Sequence, residues 1–149
     1  MTDKNCPFCT SPEIKRRKII ENKLAWAFLT HIPVVPGHML IAPKRHASTV
    51  NDLTASEITA IIHLQKKLKT ALKRIFKASG FNYAWNEGPV AGQQVDHFHL
   101  HILPRKKNDK GVLKYDPREF LYRPRSREPL PEKELSVLAS NLRSKIKNY

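Results

Sequence analysis

The chain has 149 residues, 40% of them hydrophobic, and its 27 Lys and Arg against 13 Asp and Glu give a net charge of +14. That length implies one domain with a core large enough to dispense with disulfide staples, and that charge favours anionic partners such as nucleotides, nucleic acid or acidic membrane surfaces. No apolar run reaches membrane-spanning length and none follows Met1–Asn5, so neither a spanning segment nor a secretory signal is expected, and the cytoplasm is the expected location.

Residues 1–17 read as an irregular, increasingly basic segment. It contains Cys6-Pro7-Phe8-Cys9, two thiols three apart, which read as metal or redox chemistry rather than a structural bridge. Lys18–Ile20 and Leu24–Leu29 read as strands around the polar turn Glu21-Asn22-Lys23. Pro33 and Pro36-Gly37 interrupt the chain, and His38–Ala42 is a third strand closed by Pro43. Thr54-x-x-Glu57 is a capping box, in which hydroxyl and carboxylate satisfy orphan amides reciprocally. The long helix it opens places Ile58, Ile61, Ile62, Leu68, Leu72, Ile75 and Phe76 on one face, with Gly80 as its stop. The other face carries Lys66, Lys67, Lys69, Lys73, Arg74 and Lys77, which reads as a solvated surface, with nucleic-acid contact as the minority reading.

Tyr83–Asn86 and His97–Leu103 read as strands either side of a Gly/Pro loop at 87–92. Residues 104–130, rich in Pro and Arg, are expected to be mostly irregular. Leu135, Leu138, Ala139, Leu142 and Ile146 then repeat at helical spacing behind Pro131, giving a C-terminal helix over 131–147. Antiparallel strands with two helices imply an α+β fold.

Chemistry concentrates in His97-Phe98-His99-Leu100-His101. On a strand, alternate side chains share a face, so the three imidazoles would stand together, about 7 Å from one to the next, opposite the apolar Phe98, Leu100 and Ile102. Such a cluster is costly to bury for structural reasons alone. Two chemistries compete: a catalytic zinc held by three histidines, or a histidine nucleophile oriented by its neighbours. The preceding loop weighs towards the second. Gly92 allows close backbone approach to a ligand, and Gln93 and Asn86 offer neutral amides suited to phosphoryl oxygens.

The run Asn86–Arg105, from Asn86-Glu87-Gly88-Pro89 through Gly92-Gln93-Gln94 to His97-Phe98-His99-Leu100-His101-Ile102-Leu103-Pro104-Arg105, resembles the signature of the histidine-triad (HIT) superfamily. Pro36-Gly37-His38-Met39-Leu40-Ile41-Ala42-Pro43-Lys44-Arg45-His46 resembles that family's second block. The resemblance spans about Cys6 to Arg105 and implies a single HIT-like domain: a five-stranded antiparallel sheet, one long helix and a C-terminal helix. It implies that His99 attacks an α-phosphate to form a nucleotidyl-histidine, which water or another acceptor resolves. His38 and His101 would bracket the phosphate, and Gln93 with the backbone near Gly92 would stabilise its oxygens. Asn86 would contact phosphate or ribose. Eight residues before His38 the family has Asp or Asn to hold the ribose hydroxyls; this chain has Thr30, which can hydrogen-bond but offers no carboxylate.

The resemblance extends to the cysteines. Zinc-bearing members match Cys6, Cys9, His46 and His97, which implies a closed structural zinc beside the active strand. His97 would then serve metal and nucleophile together, and no organic cofactor is implied. The expected substrate is a purine nucleoside phosphate: a phosphoramidate, a dinucleoside polyphosphate or a related adduct. A homodimer paired through the long helix and its adjacent strand is implied too. A non-catalytic nucleotide or nucleic-acid binding module is the alternative, motivated by the basic helix and Arg118–Arg127. A zinc-dependent hydrolase using the triad as ligands ranks third.

Overall fold

The computed structural model describes residues 3–110 and 129–147. The Arg118–Arg127 stretch and most of the segment expected to be irregular lie outside the described residues. Two short helices, α1 (Pro7–Thr10) and α2 (Pro12–Arg16), replace the irregular start expected for residues 1–17. Each begins on a proline whose fixed φ suits a first helical position, and Ser11 caps α2 by accepting from the Ile14 amide.

Strands β1 (Lys18–Glu21), β2 (Ala25–Leu29), β3 (Met39–Pro43), β4 (Gly80–Ala84) and β5 (Leu100–Arg105) form one sheet in the order β1-β2-β3-β5-β4, every neighbouring pair antiparallel. The expected α+β, five-stranded architecture is present. Helix α3 (Ala55–Ile75) connects β3 to β4, and α4 (Glu132–Lys147) completes the described chain.

Alternation along the strands separates two layers. Ala25, Ala27, Leu29, Met39, Ile41, Leu100 and Ile102 face α3 and α4 in the main core. Trp26, Phe28, Leu40 and Ala42 face the other way, onto Cys6, Phe8 and Ile14 of the N-terminal segment. That second layer carries the site.

Three expectations about elements need correction. The buried stripe of α3 is Ile61, Leu64, Leu68, Ala71 and Leu72, whereas Ile58 and Ile62 are 40% and 42% exposed. A helical stripe wide enough to include both pairs would wrap beyond the sheet it packs against. Gly80 does not stop the helix. The last helical amide bond is Phe76 to Leu72, Lys77 then takes the left-handed conformation (φ 55°), and Gly80 already begins β4. The last strand starts at Leu100 rather than His97, because the Phe98 amide leaves the sheet to donate to Ala47 O and the His97 amide donates to Val95 O. The three histidines therefore do not stand on one strand face.

Candidate active site and adjoining metal cluster

A cavity of about 230 Å³ opens on the second face of the sheet. Its apolar wall includes Phe8, Phe28 and Leu40, and its polar wall includes His38, Asn86, Gln94, His99 and His101. His38 enters from the turn before β3. Gly37, immediately upstream, has φ +86°, and a Cβ there would lie 2.9 Å from the Phe76 ring, so only glycine fits. The register Leu40↔His101 lays β5 beside β3 and brings His101 alongside His38.

The hydrogen bonds assign the protons. The Val34 amide can only donate, and it donates to His38 Nδ1 at 3.1 Å. Neutral His38 thus carries its proton on Nε2 and gives it to His101 Nδ1 at 2.8 Å. His101 in turn carries its own proton on Nε2. His99 Nδ1 lies 2.7 Å from His97 O, a carbonyl that can only accept. His99 Nε2 is therefore the unprotonated nitrogen of that ring. Burial of His99 lowers its pKa and keeps the imidazole neutral. The His99 and His101 rings stand 5.1 Å apart between centroids. One wall of the cavity thus presents a lone pair beside a ring N–H, the pairing of a nucleophile with a hydrogen-bond donor to a phosphoryl oxygen or leaving group.

The loop between β4 and β5 does not divide its labour as expected. Gln93 spends both ends of its amide on loop structure: Oε1 accepts from the Gly88 amide at 2.7 Å, and Nε2 donates to Ser48 O at 2.8 Å. The neighbouring Gln94 lines the cavity instead, with Asn86 and Gly92. Gly92 has φ +91°, and its amide donates to Pro89 O, so it contributes close approach rather than a donor. Thr30 also lines the cavity; its hydroxyl accepts from the Ile32 amide at 3.4 Å.

His97 turns away from the cavity into a cluster with Cys6, Cys9 and His46, whose ligand atoms all lie within 4.8 Å of one another. Cys6 Sγ is 3.3 Å and Cys9 Sγ 3.7 Å from His97 Nδ1, and Cys9 Sγ is 3.9 Å from His46 Nδ1. Tetrahedral zinc with ordinary bond lengths sets S···N at about 3.6 Å, which these separations bracket. The donor chemistry fits as well. His97 Nε2 donates to Pro43 O at 2.9 Å, which leaves Nδ1 as the lone-pair nitrogen among the thiols. Burial pushes the Cys6 thiol up to about 11 and the His97 imidazole down to about 4. Neutral histidine and a thiol that needs a cation to ionise are what such an ion would meet.

Sequence reasoning missed Phe8 and Arg17 on the cavity wall. Phe8 sits between the two thiols and meets the His99 ring edge-on at 5.2 Å and the His97 ring at 5.6 Å. An apolar residue inside the Cys-x-x-Cys was the available signal. Nothing in the run Lys15-Arg16-Arg17-Lys18 distinguishes Arg17 from its neighbours. His63 is exposed on α3, and His31 lies on the cavity rim.

A five-stranded α+β sheet carrying a histidine-lined cavity, with a Cys2His2 cluster behind it, defines a small histidine-centred domain. A HIT domain matches residues 11–108, and the chain belongs to the HIT family. It is 34% identical to the bis(5'-adenosyl)-triphosphatase of Dictyostelium discoideum over 81% of this chain and 79% of that one. It is 34% identical to the adenosine 5'-monophosphoramidase of Saccharomyces cerevisiae over 74% and 69% of the two chains. A crystal structure of a Zn-bound histidine-triad family protein from Mycobacterium smegmatis superposes with TM-score 0.70 at 27% identity, covering 97% of this chain and 94% of that one.

Proposed function

We propose that this protein cleaves a nucleotide at its α-phosphate through a nucleotidyl-His99 intermediate, with a nucleoside phosphoramidate, a dinucleoside polyphosphate or a related adduct as substrate. The observation that carries the reading is the proton arrangement: His99 Nδ1–H is committed to His97 O, so Nε2 is the nitrogen with a lone pair. The relatives' names, a triphosphatase and a phosphoramidase, support the two substrate classes.

The steps follow from the geometry. A base enters the apolar wall of Phe8, Phe28 and Leu40, and Asn86 and Gln94 offer donors to phosphate oxygens or ribose. His99 Nε2 forms a bond to the α-phosphorus as the bond to the leaving group breaks. The leaving nitrogen or oxygen accepts a hydrogen bond from His101 Nε2–H, which the Val34–His38–His101 chain of hydrogen bonds holds in place, and a leaving amine takes the proton it needs from solvent. Water then attacks the phosphorus, gives up its proton to solvent, and releases the nucleoside monophosphate and free His99. His97 holds the nucleophile's tautomer through its carbonyl.

Cys6, Cys9, His46 and His97 would hold one structural zinc, which fixes the N-terminal segment and Phe8 against the cavity. A homodimer is part of the proposal. Ile58, Ile62, Tyr83 and Trp85 are between 39% and 47% exposed, and the Gln65–Tyr83 hydrogen bond ties that face of α3 to β4. Among the described residues no helix is long and apolar enough to cross a membrane, and reduced thiols at Cys6 and Cys9 suit the cytoplasm.

The test is turnover of adenosine 5'-phosphoramidate and diadenosine triphosphate, followed by chromatography, for wild type and His99→Ala. Release of AMP by wild type and its loss by at least a thousandfold in the variant is the expected result. Equal turnover by both proteins would contradict the mechanism.

A further inference from the structure

The wall of the cavity around Thr30 carries no acid: Thr30 lines it, and no cavity-lining residue among those described is Asp or Glu. The permanent charge on the wall is instead a cation, Arg17, which is 5% exposed. Its Nη1 donates at 2.9 Å to the carbonyl of Leu29, the residue that leads directly into Thr30.

That cation is incompletely answered. Glu132, in the first turn of α4, comes within 3.4 Å of Arg17 Nε, yet neither Nε nor Glu132 Oε1 makes a hydrogen bond among the described residues. Buried donors without partners are rare and each calls for a reason. A guanidinium left short of hydrogen bonds in a cavity wall is the residue type that takes a phosphate through paired N–H donors. The Glu132 side chain is 35% exposed and can turn to solvent when a stronger anion arrives. Nucleotide-binding folds show the same trade. An acid selects free ribose hydroxyls, and a nearby Arg in the absence of that acid accommodates a ribose phosphate.

Resting on the reading of the cavity as a nucleotide site, we infer that Arg17 and Thr30 form a subsite for a second phosphate on the ribose, so that the preferred substrates are nucleotides phosphorylated at the 2' or 3' oxygen. The 5' α-phosphate meets His99 and His101. The ribose phosphate accepts from the Arg17 guanidinium and the Thr30 hydroxyl, which Asp at position 30 would repel.

Calorimetric titration tests this with AMP, adenosine 2',5'-bisphosphate, adenosine 3',5'-bisphosphate and ADP. ADP places comparable extra charge at the 5' end and controls for the +14 field of the whole protein. Wild type should bind one of the two bisphosphates about tenfold more tightly than either AMP or ADP, and the isomer that wins identifies the ribose oxygen. Arg17→Gln should erase that advantage. Thr30→Asp, which leaves Arg17 in place, should do so as well and should make AMP the tighter ligand. Equal affinity for AMP and both bisphosphates in wild type would overturn the inference while leaving the nucleotide site intact. A bisphosphate advantage that survives both substitutions, or is matched by ADP, would overturn it too. Failure of AMP to bind, with no turnover of adenosine 5'-phosphoramidate, would overturn the reading of the cavity and this inference with it.

Discussion

Removing metal from the Cys6, Cys9, His46 and His97 cluster should destabilise the whole domain, because the cluster joins three separate parts of the chain. Cys6 and Cys9 belong to the N-terminal segment, His46 follows β3, and His97 precedes β5. The three thiol–imidazole separations of 3.3, 3.7 and 3.9 Å already bracket tetrahedral zinc, so little strain opposes binding. With free metal at a thousand times its dissociation constant, linkage supplies about 4 kcal/mol to the folded state. For a domain of this size that corresponds to about 8–16 °C in melting temperature. Metal analysis of the purified protein should find about one zinc per chain. Differential scanning calorimetry with and without chelator should show the loss, and added zinc should restore it. Cys9→Ser should melt near the chelated wild type and respond little to chelator. A wild-type melting temperature unmoved by chelator, with no metal in the protein, would rule out a structural metal at this cluster.

Three further outcomes follow from named contacts. The Arg45 guanidinium, bidentate at 2.9 and 2.8 Å, pulls the Glu57 carboxyl down to about 2 from its ordinary 4.5. The lowered value stabilises the folded state above about pH 4.5 and is lost as pH falls towards 2. About 1–2 kcal/mol is expected after allowing for solvent around Arg45, so Glu57→Gln should narrow the acid-stability difference in urea titrations at pH 3 and pH 7. Burial lowers the His99 pKa, so the acid limb of kcat/KM should fall below the usual imidazole value of about 6.5; a limb at or above 6.5 assigned to His99 would count against a buried, neutral nucleophile. Ile62→Glu places a charge on the exposed apolar face of α3 and should convert a dimer to a monomer by light scattering, with the fold preserved by circular dichroism; a wild type that is monomeric at micromolar concentration would refute the pairing.

The architecture was largely legible because its signals are local. The Thr54-Glu57 capping box starts α3 as read, with the hydroxyl accepting from the Glu57 amide and the carboxylate from the Thr54 amide. Alternation placed Phe98, Leu100 and Ile102 in the core. The errors arose where tertiary contact overrode a local pattern. A five-residue run of alternating histidines looks like a strand, but the Phe98 amide pairs with Ala47 O instead of the sheet and lets the His97 ring turn towards the thiols. Gln93 and Gln94 are adjacent and chemically identical, and only the turn at Gly88 shows which amide the loop consumes. Arg17 could not be singled out at all, because burial of one cation in a run of four depends on α4, more than a hundred residues away.

Intact-protein mass spectrometry of a rapidly quenched reaction with adenosine 5'-phosphoramidate reads directly whether His99 Nε2 bonds to phosphorus. Wild type should gain the mass of one nucleoside monophosphate less one water, the adduct should be acid-labile, and peptide mapping after a mild quench should place it on His99. His101→Ala, which keeps the nucleophile and removes the hydrogen-bond donor beside it, should slow formation of the adduct without abolishing it. A wild type that turns over substrate with no adduct at any time, or an adduct that persists in His99→Ala, would rule out a nucleotidyl-His99 intermediate.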